Sequence, residues 1–343
     1  MCETDDSSLF NASKNDNSEV IKLHVQRGVA ASHQFADNGN SLLHYATKHA
    51  NVDLAKFLLD NGADVNASNH GHIRPIHIAA RRTTVKLLQL LIENRADVNA
   101  KDDEGTTPIM ESASDEAFQM LIKAGAKPDD TDLKVNTVLH AIVTNGMAQG
   151  QTVRFLIKNG IQTSAQNKFG ETVLHCAAES FFLNEDALRV ILDTDVDIDA
   201  QNLKGQTALH LAAAMGSDIA VTLLCQKRAN VHAQDVNGNT PLHLAAEKGQ
   251  FLNVMILLDA NADLEAKNNK NQTPLHVAAA SRWPYAIRTL LAYKADAHAK
   301  DCYGKTPLDY CMESILNYCD PAGLKKQKME CARVLIEAME KHK

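Results

Sequence analysis

The sequence predicts an all-α repeat solenoid of about ten units, and three observations carry that prediction. A four-residue phrase recurs along the whole chain at nearly constant spacing. An apolar pair precedes each new copy of the phrase at a fixed distance. Hydrophobic residues make up 45% of the 343 residues but aromatics only 5%, so the core must be built from Leu, Ile, Val and Ala, which suits closely stacked helices.

The phrase reads Ser-Leu-Leu-His at 41–44, Arg-Pro-Ile-His at 74–77 and Thr-Pro-Ile-Met at 107–110. It continues as Thr-Val-Leu-His at 137–140 and 172–175, Thr-Ala-Leu-His at 207–210, and Thr-Pro-Leu-His at 240–243 and 273–276. Thr-Pro-Leu-Asp closes the series at 306–309. The last residues of these phrases lie 33, 33, 30, 35, 35, 33, 33 and 33 apart. From the second member of each apolar pair, such as Leu59, Ile92 or Leu258, to the next phrase end the distance is always 18. All length variation therefore falls between phrase and pair. One connection has fixed geometry and the other tolerates insertions.

Within one unit, Thr240 suits an N-cap and Pro241 the first helical position. Leu-His-Leu-Ala-Ala then forms a short helix whose alanines admit a close neighbour. Gly249 supports a turn, and Leu252 to Leu258 form a second amphipathic helix. Asn261 stands where other units have Gly62, Gly125 or Gly160, a helix-ending position that favours Gly or Asn. An Asp-x-x-Gly loop follows, its Gly suited to a tight hairpin turn.

This pattern resembles the ankyrin-repeat family, most closely in Gly62-Ala63-Asp64-Val65-Asn66-Ala67 and in Asn237-Gly238-Asn239-Thr240-Pro241-Leu242-His243-Leu244-Ala245-Ala246. The resemblance covers roughly residues 8–340 and implies helix–turn–helix units joined by β-hairpin fingers. Residues 1–7 are expected to be disordered and 8–343 to form a single repeat domain. Within it, 8–37 is a degenerate N-terminal cap unit, 38–305 the central repeats and 306–343 an extended C-terminal cap unit. Terminal units are expected to be atypical because one face meets water.

Departures from the pattern are concentrated in a few units. The unit at 107–136 is three residues short between its helices, has Met110 in place of His, and Lys127-Pro128 where the finger should begin. The next carries Val135 at the hairpin glycine and Ile142-Val143 where alanines pack, so a stacking irregularity is expected around 107–160. Two units carry extra turn residues, Asn145 to Gly150 and Phe181-Phe182-Leu183-Asn184. The last holds an insertion with Cys311, Tyr318, Cys319, Asp320-Pro321 and Lys325-Lys326-Gln327-Lys328, followed by an amphipathic stretch from Met329 to Met339.

Net charge of -7 and a pI near 6.1 argue against a nucleic-acid binder. No secretory signal and no membrane-spanning run is visible, and seven irregularly spaced cysteines favour a reducing compartment, so the expected location is cytoplasmic. Seven histidines (His44, His77, His140, His175, His210, His243 and His276) share one repeat position. The resemblance implies that this ring bonds the backbone and fixes the finger against the helix. Copies one repeat apart are too distant to share a metal. The C-terminal cysteines contain no Cys-x-x-Cys pair, and no phosphate-binding loop or nucleophile elbow occurs. No cofactor, metal or catalytic residue is expected.

The resemblance implies a protein-interaction scaffold, adaptor or inhibitor that binds a partner protein as a monomer on a concave face of fingertips and inner helices. Carried onto this chain, the contact residues are Asp103 and Glu104, Lys168 and Phe169, Leu203 and Lys204, Val236, Tyr303, and the inner-helix ends Arg81, Arg82 and Met215. Phe169, Leu203, Val236 and Tyr303 stand at tips with no folding reason to be apolar. Trp283, the only Trp, lies in an inter-helix turn as either an anchor or a lid. Asn66 and Asn99 match the slot at which some ankyrin repeats are hydroxylated. Two other readings stay open: a secreted effector of an intracellular microbe that binds a host protein in the host cytosol, and an enzyme with a site built on the repeats.

Overall fold

The computed structural model describes residues 3–82, 85–112, 114–146, 149–180, 184–315 and 322–341. The expectations attached to Phe181, Phe182, Leu183, Tyr318, Cys319 and Asp320-Pro321 lie outside these residues. The chain divides into two compact units, Met1–Gln162 and Thr163–Lys343.

Each unit is built from helix pairs. In the first they are Glu3–Lys14 with Ser18–Gln26, Leu42–Lys48 with Val52–Asp60, and Pro75–Ala80 with Val85–Glu93. A 3₁₀ turn Pro108–Glu111 with Asp115–Lys123, and Val138–Thr144 with Gly150–Lys158, complete it. In the second unit the pairs are Val173–Glu179 with Glu185–Leu192, Ala208–Met215 with Asp218–Gln226, and Pro241–Lys248 with Phe251–Asp259. Pro274–Ser281 with Pro284–Ala292 and Pro307–Ile315 with Ala322–Lys341 follow.

The first helices are short and nearly all buried, and the second helices bury one face. Ala245, Ala246, Ala278 and Ala279 are fully buried between successive first helices, where a larger side chain would force the helices apart. Leu54, Leu58, Leu87, Leu88 and Leu91 supply the second-helix face of the core. Several second helices are capped at their N-termini by short polar side chains. Asn51 accepts from the Leu54 N–H, Ser114 from Ala117, Asn184 from Ala187 and Ser217 from Ala220. Gly249 turns the chain out of the first helix at φ 71°, and Asn261 ends the second at φ 64°.

Three expectations need correction. Residues 3–7, expected to be disordered, form the first turns of Glu3–Lys14, because the helix is anchored by buried Leu9, Ala12 and Ser13 and by Phe10 against Phe35 and Tyr45. The fingers keep a hairpin turn but form no β-ladder. Among the described residues no strand pairing occurs beyond a single bridge between Gln34 and Ser41. Each is a tight turn closed by main chain, as by the Gly205 N–H to the Asn202 carbonyl at 2.8 Å, and in the fingers after the first a side chain braces it: the Asn202 Oδ1 accepts from the N–H groups of Lys204 and Gln206 at 2.9 and 3.0 Å. Asp235 does the same for Asn237 and Asn239. The closing helix begins at Ala322 rather than Met329, and its own Cys331 and Leu335 are fully buried on its inner face.

Candidate interaction surface

The surface rests on the histidine that recurs in the phrase. In the pair starting at Pro241, the His243 Nδ1 lies 3.1 Å from the Thr240 backbone N and 2.9 Å from Thr240 Oγ1. Its Nε2 lies 2.9 Å from the carbonyl of Gln272, the last residue of the next finger. A carbonyl only accepts, so Nε2 carries the proton and Nδ1 accepts from the threonine. One neutral ring thus ties the start of its own helix to the following finger. His44, His175, His210 and His276 repeat the arrangement onto Ile73, Gln206, Asn239 and Lys305. His77 reaches both Ala100 and Thr106. Burial holds the rings of His44, His77, His175, His210, His243 and His276 below their ordinary pKa of 6.5, which keeps them neutral.

With the fingers fixed, a main-chain bond joins each tip to the next. The first tip residue of a finger donates its N–H to the carbonyl of the second tip residue of the finger before. The pairs are Leu203 to Phe169, Val236 to Lys204, Asn269 to Asn237 and Cys302 to Lys270, each at 3.0 Å. The same bond joins His70 to Asn38, Asp103 to Gly71 and Leu133 to Glu104 in the first unit. In residues 163–343 the ten tip residues Lys168, Phe169, Leu203, Lys204, Val236, Asn237, Asn269, Lys270, Cys302 and Tyr303 are all exposed. Leu203, Tyr303 and Val236 keep 75%, 68% and 62% of their surface in water, Phe169 47%, and Met215 at the end of its first helix 38%. These apolar side chains are therefore not folded onto neighbouring tips. Lys168, Lys204 and Lys270 supply the only formal charges in the row, the Lys168 ammonium lying 5.2 Å from the Phe169 ring centre.

Beside the tips, a pocket of about 410 Å³ opens between two fingers and two first helices. Its lining is mostly amide and charged: Asn237, Asn239, Glu247, Asn269, Lys270 and Gln272 are among its residues.

In the first unit the sequence-chosen residues are differently placed. Arg81 is forked onto the carboxylate of Glu111, a residue only 8% exposed, with one bond at 2.6 Å. Its charge is already matched although its side chain is half exposed, and Arg82 is exposed as well. Asp103 bonds the exposed ring of His72, and Glu104 is exposed at the same tip. Leu133, 70% exposed, is a tip residue that sequence reasoning missed, because its finger lacks the marker glycine. Asn66 and Asn99 use both ends of their amides to join consecutive repeats. Asn66 accepts from Asp97 N–H at 2.8 Å and donates to the Arg95 carbonyl; Asn99 accepts from Lys127 N–H at 2.9 Å and donates to the Gly125 carbonyl. Trp283 lies as a lid, its ring over Gly249 and its Nε1–H donating to the Glu247 carbonyl at 2.7 Å, with 39% still exposed. Among the described residues no group of three or more His, Cys, Asp or Glu could hold a metal ion, and no helix is long and apolar enough to cross a membrane.

Family models described as ankyrin repeats (3 copies) match residues 69–132, 110–202, 183–268 and 255–342, and one described as ankyrin repeats (many copies) matches residues 43–92. No curated protein matches the chain.

Proposed function

The chain belongs to the ankyrin-repeat family, whose repeats generally mediate protein–protein interaction, and from that membership we propose a cytoplasmic adaptor or inhibitor that recognises its partner on the tips and first helices of residues 163–343. The observation that carries this reading is the tip row. It holds four large, exposed apolar side chains, three lysines and no acidic residue. The main-chain bonds that link its tips do not depend on what the apolar side chains are. Apolar anchors with a cationic surround fit a partner segment that carries apolar residues among carboxylates. The amide-lined pocket between Asn237 and Gln272 supplies donors and acceptors for the segment's main chain.

Affinity capture tests it, using wild type and a variant carrying Phe169→Ser, Leu203→Ser, Val236→Ser and Tyr303→Ser, matched by circular dichroism. The expected result is a partner that wild type retains, that the variant loses, and that wild type releases as salt is raised. Equal capture by both proteins would remove the site from these tips.

A further inference from the structure

Two core positions can be followed from repeat to repeat. The first lies in the first helix, two residues after the recurring His. It is Ala46, Ala79, Ala177, Ala212, Ala245 and Ala278, and in the last pair, after Asp309, it is Cys311. The second lies in the second helix, five residues before the end of the apolar pair. It is Leu54, Leu87, Ala220, Asn253 and Ala286 before Leu59, Ile92, Cys225, Leu258 and Leu291. In the closing helix, before Ile336, it is Cys331. The last pair alone carries a thiol at both positions. Cys311 and Cys331 are fully buried, as are Ala245 and Ala278 at the first position and Ala220 and Ala286 at the second. Packing therefore does not require sulfur at either place.

The two thiols meet. Pro307–Ile315 and Ala322–Lys341 pack along each other, and Cys311 and Cys331 are in side-chain hydrogen-bond contact. The Cys311 Sγ also lies 3.6 Å from the carbonyl of Ala279 in the preceding pair, so its proton can turn to that carbonyl or to the second sulfur. Arg282 stands close by. Its Nε is buried and has no hydrogen-bond partner among the described residues, and its charge favours the anion of either sulfur. When the pair loses one proton, Cys331 keeps the charge. The hydrogen bond from Cys311 holds it below the ordinary thiol range, against the opposing effect of burial. That same bond, together with burial, raises Cys311. Cys225 is the contrast: burial pushes its thiol up to about 11, which leaves it protonated at neutral pH.

We propose that Cys311 and Cys331 form a redox modification site, a dithiol that a peroxide converts to a disulfide and a thiol reductant restores. The Cys331 thiolate attacks one peroxide oxygen and the O–O bond breaks. The departing hydroxide takes up the proton that Cys331 gave up and leaves as water, and Cys331 becomes a sulfenic acid. Cys311 then loses its proton and its sulfur attacks the Cys331 sulfur. The S–S bond forms, the S–O bond breaks, and the second hydroxide leaves with that proton as water. Two thiols are oxidised by two electrons in all, and one peroxide is reduced to two waters. A peroxide is small enough to reach the pair through local opening of the closing helix, which meets water at Met329 and Ile336. The disulfide ties the last first helix to the closing helix and shuts a loop of about 20 residues. No tip residue takes part, so the site stands apart from the partner-binding surface.

Hydrogen peroxide is the probe, applied to the full chain at neutral pH until the exposed Cys302 is oxidised. The remaining thiols are then alkylated in denaturant and the peptides mapped by mass. The expected product joins the Cys311 and Cys331 peptides with a loss of about 2 Da, and dithiothreitol separates them again. Hydrogen exchange of Ala322–Lys341 is expected to slow by about 100-fold on oxidation. Cys311→Ala and Cys331→Ala introduce the residue that Ala245 and Ala286 hold at the same two positions, so both variants are expected to keep wild-type circular dichroism. Each is expected to lose the joined product and the slowed exchange together. Thiols at 311 and 331 that stay fully alkylatable once Cys302 has reacted would overturn the proposal. So would a Cys331 that proceeds to sulfinic acid while Cys311 stays reduced, or a disulfide from either residue to Cys319 in place of the other.

Discussion

The repeat that begins at Thr240 and the repeat that begins at Thr107 start from nearly the same four residues, Thr-Pro-Leu-His and Thr-Pro-Ile-Met. The first makes an eight-residue helix, Pro241–Lys248. The second makes a four-residue 3₁₀ turn, Pro108–Glu111. The decisive change is the ring. In the first repeat the Thr240 hydroxyl has His243 Nδ1 as its partner, and the same ring fastens the next finger. In the second, Met110 offers no such nitrogen, and the buried Thr107 Oγ1 has no hydrogen-bond partner. The three missing residues then shorten the path to the second helix, and Glu111 enters the interior only because Arg81 meets it. The comparison teaches that the phrase specifies a helix through its fourth residue more than through Thr-Pro.

Acid is the broadest way to erase the difference. Protonating Nδ1 turns the acceptor into a donor and leaves each His repeat as poorly joined as the one at Thr107. The folded rings are held below 6.5, so the unfolded chain takes up protons first. Stability is therefore full above about pH 6.5 and falls as pH drops toward the folded-state pKa, by up to ~1.4 kcal/mol per pH unit for each of the six rings. A urea midpoint that drops steeply between pH 7 and 5 is expected; a flat profile would contradict the neutral-ring assignment.

A single substitution should reproduce the effect locally. His243→Met removes a buried ring and strands the Thr240 hydroxyl and the Gln272 carbonyl, at a cost of about 3 kcal/mol in chemical denaturation. Hydrogen exchange of residues 241–248 should accelerate toward that of 108–112. The reverse change, Met110→His, should gain about 1 kcal/mol by giving Thr107 Oγ1 a partner, with the gain limited because the three residues stay absent. Val135→Gly should gain about 1 kcal/mol: a β-branched residue is held there at φ 61°, the left-handed conformation that glycine supplies elsewhere. No gain at Val135 would mean that its half-exposed side chain makes contacts worth more than the strain.

The repeat boundaries and the shared position of the histidines were legible because both recur, and recurrence survives the drift of single positions; the role of the ring followed from the family resemblance. The tip residues were legible by register from Gly170, Gly205, Gly238 and Gly304. Leu133 was not, since Val135 removed the marker. Arg81 read as a free cation because nothing in its own repeat predicts that Glu111, thirty residues later, turns inward. The helix from Glu3 lacked an apolar period to announce it. Cys311 and Cys331 read as scattered cysteines because no Cys-x-x-Cys spacing joins them, and only the packing of Pro307–Ile315 against Ala322–Lys341 brings their sulfurs together.

A bond from amide to carbonyl joins each fingertip to the next, and the apolar tip side chains of residues 163–343 take no part in it. Identity at each tip is therefore written in a layer that the architecture does not read. Selection can exchange Leu203 or Val236 for another residue and change what is recognised while every neighbouring finger keeps its address. A new specificity can then accumulate one letter at a time, with each intermediate still folded.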